Sequence, residues 1–191
     1  MTAENNLEQT NSMDSNAMIS MEYAGLSNEK MSPEEMIIQL MTEKKKTLSA
    51  AESCTGGMFS ARVIGVSGAS AVYESGFVTY ANKAKHRLIG VKKKTLEKYG
   101  AVSRQTAKEM VKGTLKNAKA DYAVAITGVA GPCGTEDKPV GLVYIGCGRK
   151  HHIEVKEYHF SGNRMQIREA SVESALSQLY EVLRKDFKIC K

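Results

Sequence analysis

Two short stretches of this 191-residue chain put reactive side chains where a backbone turn can expose them. Ser53 and Cys54 lie in Glu52-Ser53-Cys54-Thr55-Gly56-Gly57, directly after the apolar run Thr47 to Ala51. A serine between a strand end and a glycine turn can act as a nucleophile, because amides at a helix start point toward a developing negative charge. The same serine could instead cap the helix that begins near Gly56, which is the commoner use of Ser in such places. Local spacing leaves both roles open. Cys54 is a rival nucleophile, since helix N-termini lower a thiol's pKa. No histidine with an orienting partner is recognisable for it, and a small buried cysteine is the usual case.

The second stretch is Tyr80-Ala81-Asn82-Lys83-Ala84-Lys85-His86, with two lysines where a strand becomes a helix. A lysine desolvated in a pocket can lose its proton and serve as a base, although most lysines are simply solvated. Thr127-Gly128-Val129-Ala130-Gly131-Pro132 follows an apolar strand, where open α/β sheets bind ligands. The four histidines lack HExxH or any other metal spacing, and the four cysteines form no CxxC pair. No metal and no cofactor is therefore expected, and reduced thiols fit better than disulfides.

These residues need elements to hold them. Ser32-Pro33-Glu34-Glu35 reads as a helix start with a capping box, followed by the apolar face Met36, Ile37, Leu40 and Met41. Thr47 to Ala51 reads as a buried strand, Met58 to Ile64 as a helix and Val72 to Tyr80 as a β-rich run. A short helix then runs through Lys85 to Ile89 and closes at Gly90. Ser103 caps a helix with Ala107, Met110, Val111, Thr114, Leu115 and Ala118 on one stripe, and Asp121 to Ile126 follows as a strand. Val140 to Cys147 and Ile153 to Phe160 read as neighbouring strands. Their alternation slips near Glu157, so a bulge or register change is expected there. Val172, Ala175, Leu176, Leu179, Val182 and Leu183 complete a long amphipathic helix. Strands alternating with helices imply a three-layer α/β/α domain over residues 32–191.

Residues 1–31 are polar, lack an apolar period and read as a flexible leader. They carry a net charge of −4 against +10 for the rest of the chain. A basic body can meet nucleic acid, but aromatic residues are few and there is no Trp, so an anionic small ligand ranks first and no nucleic-acid partner is expected. Lys92-Lys93-Lys94 reads as a solvated face. No membrane span or signal peptide is recognisable, which places the protein in the cytoplasm.

Taken together, AESCTGG (51–57), GFVTYANKAKHRLIGV (76–91), YGAVS (99–103), DYAVAITGVAGP (121–132), KPVGLVY (138–144) and FSGNR (160–164) resemble the CinA C-terminal domain family. The motifs keep their order from about residue 34 to the end. The resemblance implies a three-layer sandwich around a mixed, mainly parallel five-stranded sheet. It also implies an amidohydrolase of pyridine-nucleotide salvage, converting nicotinamide mononucleotide and water to nicotinate mononucleotide and ammonia without a metal.

Carried over by motif, Ser53 is the nucleophile, Lys85 its base and Tyr80 an assisting residue, while Lys83 stands where relatives often carry an acid. The amides of Cys54 to Gly57 would stabilise the oxyanion. Glu52, Cys54, Thr55, Gly56, Gly57, Thr127 and Gly128 would line the substrate pocket, and Arg164, a loop arginine in the family, would face phosphate. The loop from Cys133 to Asp137 departs from the Asp or Gly with an additional Gly usual after the Gly-Pro pair. The resemblance also implies a homo-oligomer, and the lack of the longer CinA N-terminal domain points to a stand-alone deamidase. A catalytically idle nucleotide-binding or competence-linked regulatory module is the alternative reading.

Overall fold

Ser32 and Glu35 start the first helix reciprocally. The Ser32 hydroxyl accepts from the Glu35 amide at 3.3 Å, and the Glu35 carboxylate accepts from the Ser32 amide at 2.7 Å. This capping box opens α1 (Pro33–Glu43) in a computed structural model that describes residues 31–134 and 138–189. The expected leader, apart from Met31, and the loop residues Thr135 to Asp137 lie outside the described residues.

The elements then follow as β1 (Leu48–Glu52), α2 (Met58–Ile64), a single 3-10 turn (Ala69–Ala71), β2 (Tyr73–Val78), α3 (Asn82–Ile89) and α4 (Lys93–Tyr99). After these come α5 (Arg104–Ala118), β3 (Tyr122–Gly128), β4 (Leu142–Arg149), β5 (His152–His159) and α6 (Arg164–Asp186). The sheet order is β2-β1-β3-β4-β5. β1 pairs in parallel with both β2 and β3, whereas β4 runs against β3 and β5. Four of the five strands therefore point the same way, and β4 alone is reversed.

Helices cover both faces. One face of the sheet packs against α1, α2 and α6 through Ile37, Met41, Phe59, Val63, Leu176 and Leu179. The other packs against α3, α4 and α5 through Ile89, Leu96, Met110 and Val111. This two-sided burial also explains why no bulge forms at Glu157. The β4–β5 register runs without interruption from Leu142 opposite His159 to Arg149 opposite His152. Along β5, Ile153 joins the core on one face, while Tyr158 and the following Phe160 join the core on the other. Apolar residues of either parity find a covered face, so the slip in alternation needs no change of register. The irregularity of the sheet instead lies between β1 and β2, near Leu48 and Ala50. Among the described residues, no helix is long and apolar enough to cross a membrane.

One close approach holds α3, and with it Lys85, in place. Gly113 in the middle of α5 lies against the Ile89 carbonyl, and an added Cβ would overlap that oxygen. Gly113→Ala is therefore expected to cost about 2 kcal/mol as overpacking, measured as a lower denaturant midpoint with an unchanged slope.

Candidate active site

The first turn after β1 divides its side chains between the two faces of the sheet. Leu48 and Ala50 belong to the α1/α2/α6 core and Ala51 to the opposite one. By the same alternation, Glu52 turns toward α2 and Ser53 toward α3. Ser53 is 7% exposed, and its hydroxyl oxygen lies 3.0 Å from the Lys85 amine. Capping is not its role, because the start of α2 is held by Glu52.

Lys85 sits on the first turn of α3 with 1% of its surface exposed. Besides Ser53, its Nζ reaches the carbonyl oxygens of Thr79 at 2.8 Å and Tyr80 at 3.3 Å. An ammonium donates to all three oxygens. A neutral amine donates to the two carbonyls and turns its lone pair to the serine hydroxyl, which then donates. Burial pushes the amine down to about 8 from an ordinary value of 10.5, and the Cys54 thiol acts in the opposite sense. Loss of the proton near neutral pH is correspondingly easier than for a solvated lysine. Lys83, two residues earlier, is exposed.

Cys54 is 5% exposed, and burial pushes its thiol up to about 11 although its own amide and the Lys85 charge pull the other way. At neutral pH it is a thiol, which is a poor nucleophile. The serine is the group with a buried amine against its hydroxyl.

Ser53, Cys54, Tyr80, Lys85, Thr127, Gly128 and Arg164 all line one cavity of about 270 Å³, together with Ala101, Val102, Gly131 and Cys133. Tyr80 meets Lys85 through its backbone carbonyl, while its side chain is 66% exposed. Thr127 donates its hydroxyl to the Ala101 carbonyl at 2.8 Å and so ties the YGAVS segment to β3. Gly128 answers to packing, since a Cβ there would come within 2.6 Å of Val143 on β4.

Four candidates fall outside this cavity. Glu52 faces the opposite side of the sheet, where its carboxylate accepts from the amides of Gly57, Phe59 and Ser60 and from the Ser60 hydroxyl. Thr55 is fully buried, and its hydroxyl has no hydrogen-bond partner among the described residues. Gly56 and Gly57 adopt φ of +63° and +102°, so they serve the turn's backbone. Their amides are already engaged, that of Gly56 with the Ser53 carbonyl and that of Gly57 with Glu52. Of the amides expected to face an oxyanion, those of Cys54 and Thr55 remain, with no backbone partner among the described residues.

Arg164 is helical, as the first residue of α6, rather than part of a loop. Asn163 caps that helix in a box with Gln166, a signal present in the sequence as Asn-x-x-Gln. From that start Arg164 and Arg168 share a face at i, i+4. Arg164 donates to the Gly131 carbonyl. Arg168, which reading the sequence missed, donates to the carbonyls of Cys54 at 3.1 Å and Thr55 at 2.9 Å. In a trans peptide the N–H points away from its carbonyl, so an arginine holding the Cys54 carbonyl turns the Thr55 amide to the other side.

The profile of the CinA C-terminal domain family matches residues 30–183. A CinA-like protein of Thermotoga neapolitana is 49% identical over 162 residues, covering 84% of this chain and 39% of that protein. The chain thus spans less than two fifths of the length of the curated relatives it matches first. Among solved structures, competence damage-inducible protein A from Klebsiella pneumoniae superposes with a TM-score of 0.78 at 34% identity, covering 79% of this chain and 94% of the other. The competence/damage inducible protein CihA from Agrobacterium tumefaciens superposes at 0.76 with 40% identity, over 81% of this chain and 98% of the other. With the family profile matching most of its length and a relative 49% identical over 84% of it, the chain belongs to the CinA C-terminal domain family.

Proposed function

We propose that the protein is an amidohydrolase that releases ammonia from the carboxamide of nicotinamide mononucleotide through a Ser53 acyl-enzyme. The observation that carries this reading is the buried contact of 3.0 Å between the Ser53 hydroxyl and an amine whose proton burial makes easier to lose. Neutral Lys85 takes the hydroxyl proton as Ser53 oxygen attacks the amide carbon, and the carbonyls of Thr79 and Tyr80 then hold the ammonium so formed. The amides of Cys54 and Thr55 support the tetrahedral oxyanion. As the intermediate collapses, the carbon–nitrogen bond breaks and Lys85 returns the proton to the leaving ammonia. Water, deprotonated by the same amine, then cleaves the ester and frees the carboxylate.

The nucleotide's phosphate is assigned to the cationic side of the cavity at Arg164, whose guanidinium retains donors beyond the one bound to Gly131. Apolar Ala101 and Val102 supply a wall suited to the flat pyridine ring.

Purified protein is expected to release ammonia from nicotinamide mononucleotide, with Ser53→Ala and Lys85→Ala each lowering kcat by at least about 10³-fold. A wild type that binds the nucleotide without turning it over would favour the regulatory-module reading. Because the base must be neutral, kcat/KM should rise with pH through a midpoint near 8, the value of Lys85. A midpoint near 6 would assign the base to another group. Thiol alkylation at pH 7 followed by peptide mapping provides a separate check on the nucleophile. Among the described cysteines, exposed Cys133 should react first, while Cys54 and Cys147, both buried with thiols pushed up, stay protected until unfolding.

A further inference from the structure

The turn that carries Ser53 is anchored from the side of the sheet away from the cavity. The Glu52 carboxylate is 1% exposed and has no cation against it among the described residues. Each of its oxygens instead receives two donors. Oε2 accepts from the Gly57 and Phe59 amides at 3.0 Å each, and Oε1 accepts from the Ser60 amide at 2.9 Å and the Ser60 hydroxyl at 2.6 Å. The Ser60 hydroxyl meets the Tyr73 hydroxyl at 2.8 Å, which extends the chain of contacts to β2.

The same network explains Gly76, the first residue of the GFVTY motif, at which the catalytic reading assigns no role. A Cβ at Gly76 would overlap the Tyr73 hydroxyl and approach the Ser60 oxygen to 2.9 Å. β2, β1 and the start of α2 are therefore joined by polar contacts directly behind the nucleophile turn.

We infer that Glu52 is a positioning residue for the amide hydrolysis, acting through Ser60 and Tyr73 to aim the Cys54 and Thr55 amides at the oxyanion. This rests on the Ser53/Lys85 reading above. By claiming the Gly57 amide, Glu52 fixes the far end of the turn, while the Ser53 amide, bonded to the Ile126 carbonyl, fixes the near end. Between these anchors Arg168 draws the Cys54 carbonyl to its side, so the Thr55 amide of the same trans peptide faces the other way. Glu52 also does for α2 what its N-cap cannot, since Gly57 has no side chain to bond the helix amides.

The test is the acylation of Ser53 by p-nitrophenyl acetate, with Ser53→Ala as the blank, run beside ammonia release from nicotinamide mononucleotide. In Glu52→Gln one oxygen becomes an NH2 group, so at least one backbone amide at the start of α2 loses its acceptor whichever way the side-chain amide is turned. The acylation rate constant is expected to fall at least about 10-fold, as for a misplaced oxyanion donor, with KM within about two-fold. The pH midpoint near 8 should be unchanged because Lys85 is untouched. Ser60→Ala, which deletes one hydroxyl contact and keeps the carboxylate, should give a smaller fall in the same constant and covers the case in which Glu52→Gln does not fold. If the folded variants acylate at the wild-type rate and merely melt earlier, the positioning role is overturned. Wild type that acylates but ignores nicotinamide mononucleotide would overturn the substrate and leave the role of Glu52 standing. Wild type that fails to acylate at all would overturn both.

Discussion

The structure depends on keeping one amine out of water. Lys85 has 1% of its surface exposed, and an ammonium in that position loses most of its hydration. Two backbone carbonyls and one hydroxyl replace the water, enough to satisfy either protonation state. The amine is thereby held near the pKa a general base needs while every donor keeps an acceptor. Removal of the carbonyls would leave a buried charge with nothing to hold it, and removal of the burial would leave an ordinary protonated lysine.

That placement makes demands on distant parts of the fold. Thr79 and Tyr80 follow β2, Ser53 follows β1, and Lys85 lies on α3, so their meeting requires the parallel register in which Glu52 stands beside Val78. The helix carrying Lys85 is pressed against α5 at Gly113, where only a hydrogen fits. On the other side of the sheet, α6 sends Arg168 to the carbonyls of the nucleophile turn and Arg164 to the Gly131 loop. Both outer layers thus brace a single turn of five residues. The parallel half of the sheet, β2-β1-β3, brings the lining of the cavity together at its strand ends, where open α/β sheets generally bind ligands.

Adjacent residues of that turn have opposite duties. Glu52 and Ser53 are neighbours in a glycine-flanked motif, and on reading the motif both are drawn into the pocket. Pleating sends them to opposite faces, so the carboxylate organises the backbone behind the site while the hydroxyl enters it. The amides divide as well, with those of Gly56 and Gly57 spent on the turn and those of Cys54 and Thr55 left without a backbone partner among the described residues.

Much of this was legible in the linear pattern, because its causes are local. The capping box at Ser32 and Glu35, the left-handed C-cap at Gly90 and the Ser103 cap are set by residues within a few positions of one another. Local spacing marked Ser53, Lys85 and Thr127 only as candidates, and it was the resemblance of the combined motifs that singled out Ser53, Lys85 and Arg164. The asparagine cap at Asn163 was present in the pattern and passed over, and with it the helical face shared by Arg164 and Arg168. Which groups meet across the sheet was decided by tertiary structure alone. Alternation along β5 could not show that both faces are covered. Nor could composition show that Lys85 is buried while Lys83 two residues earlier is exposed. Local sequence sets the direction in which each side chain leaves the backbone, but its burial and its partners across the site come from elements far apart in the chain, 32 residues from Ser53 to Lys85 and 114 from Cys54 to Arg168.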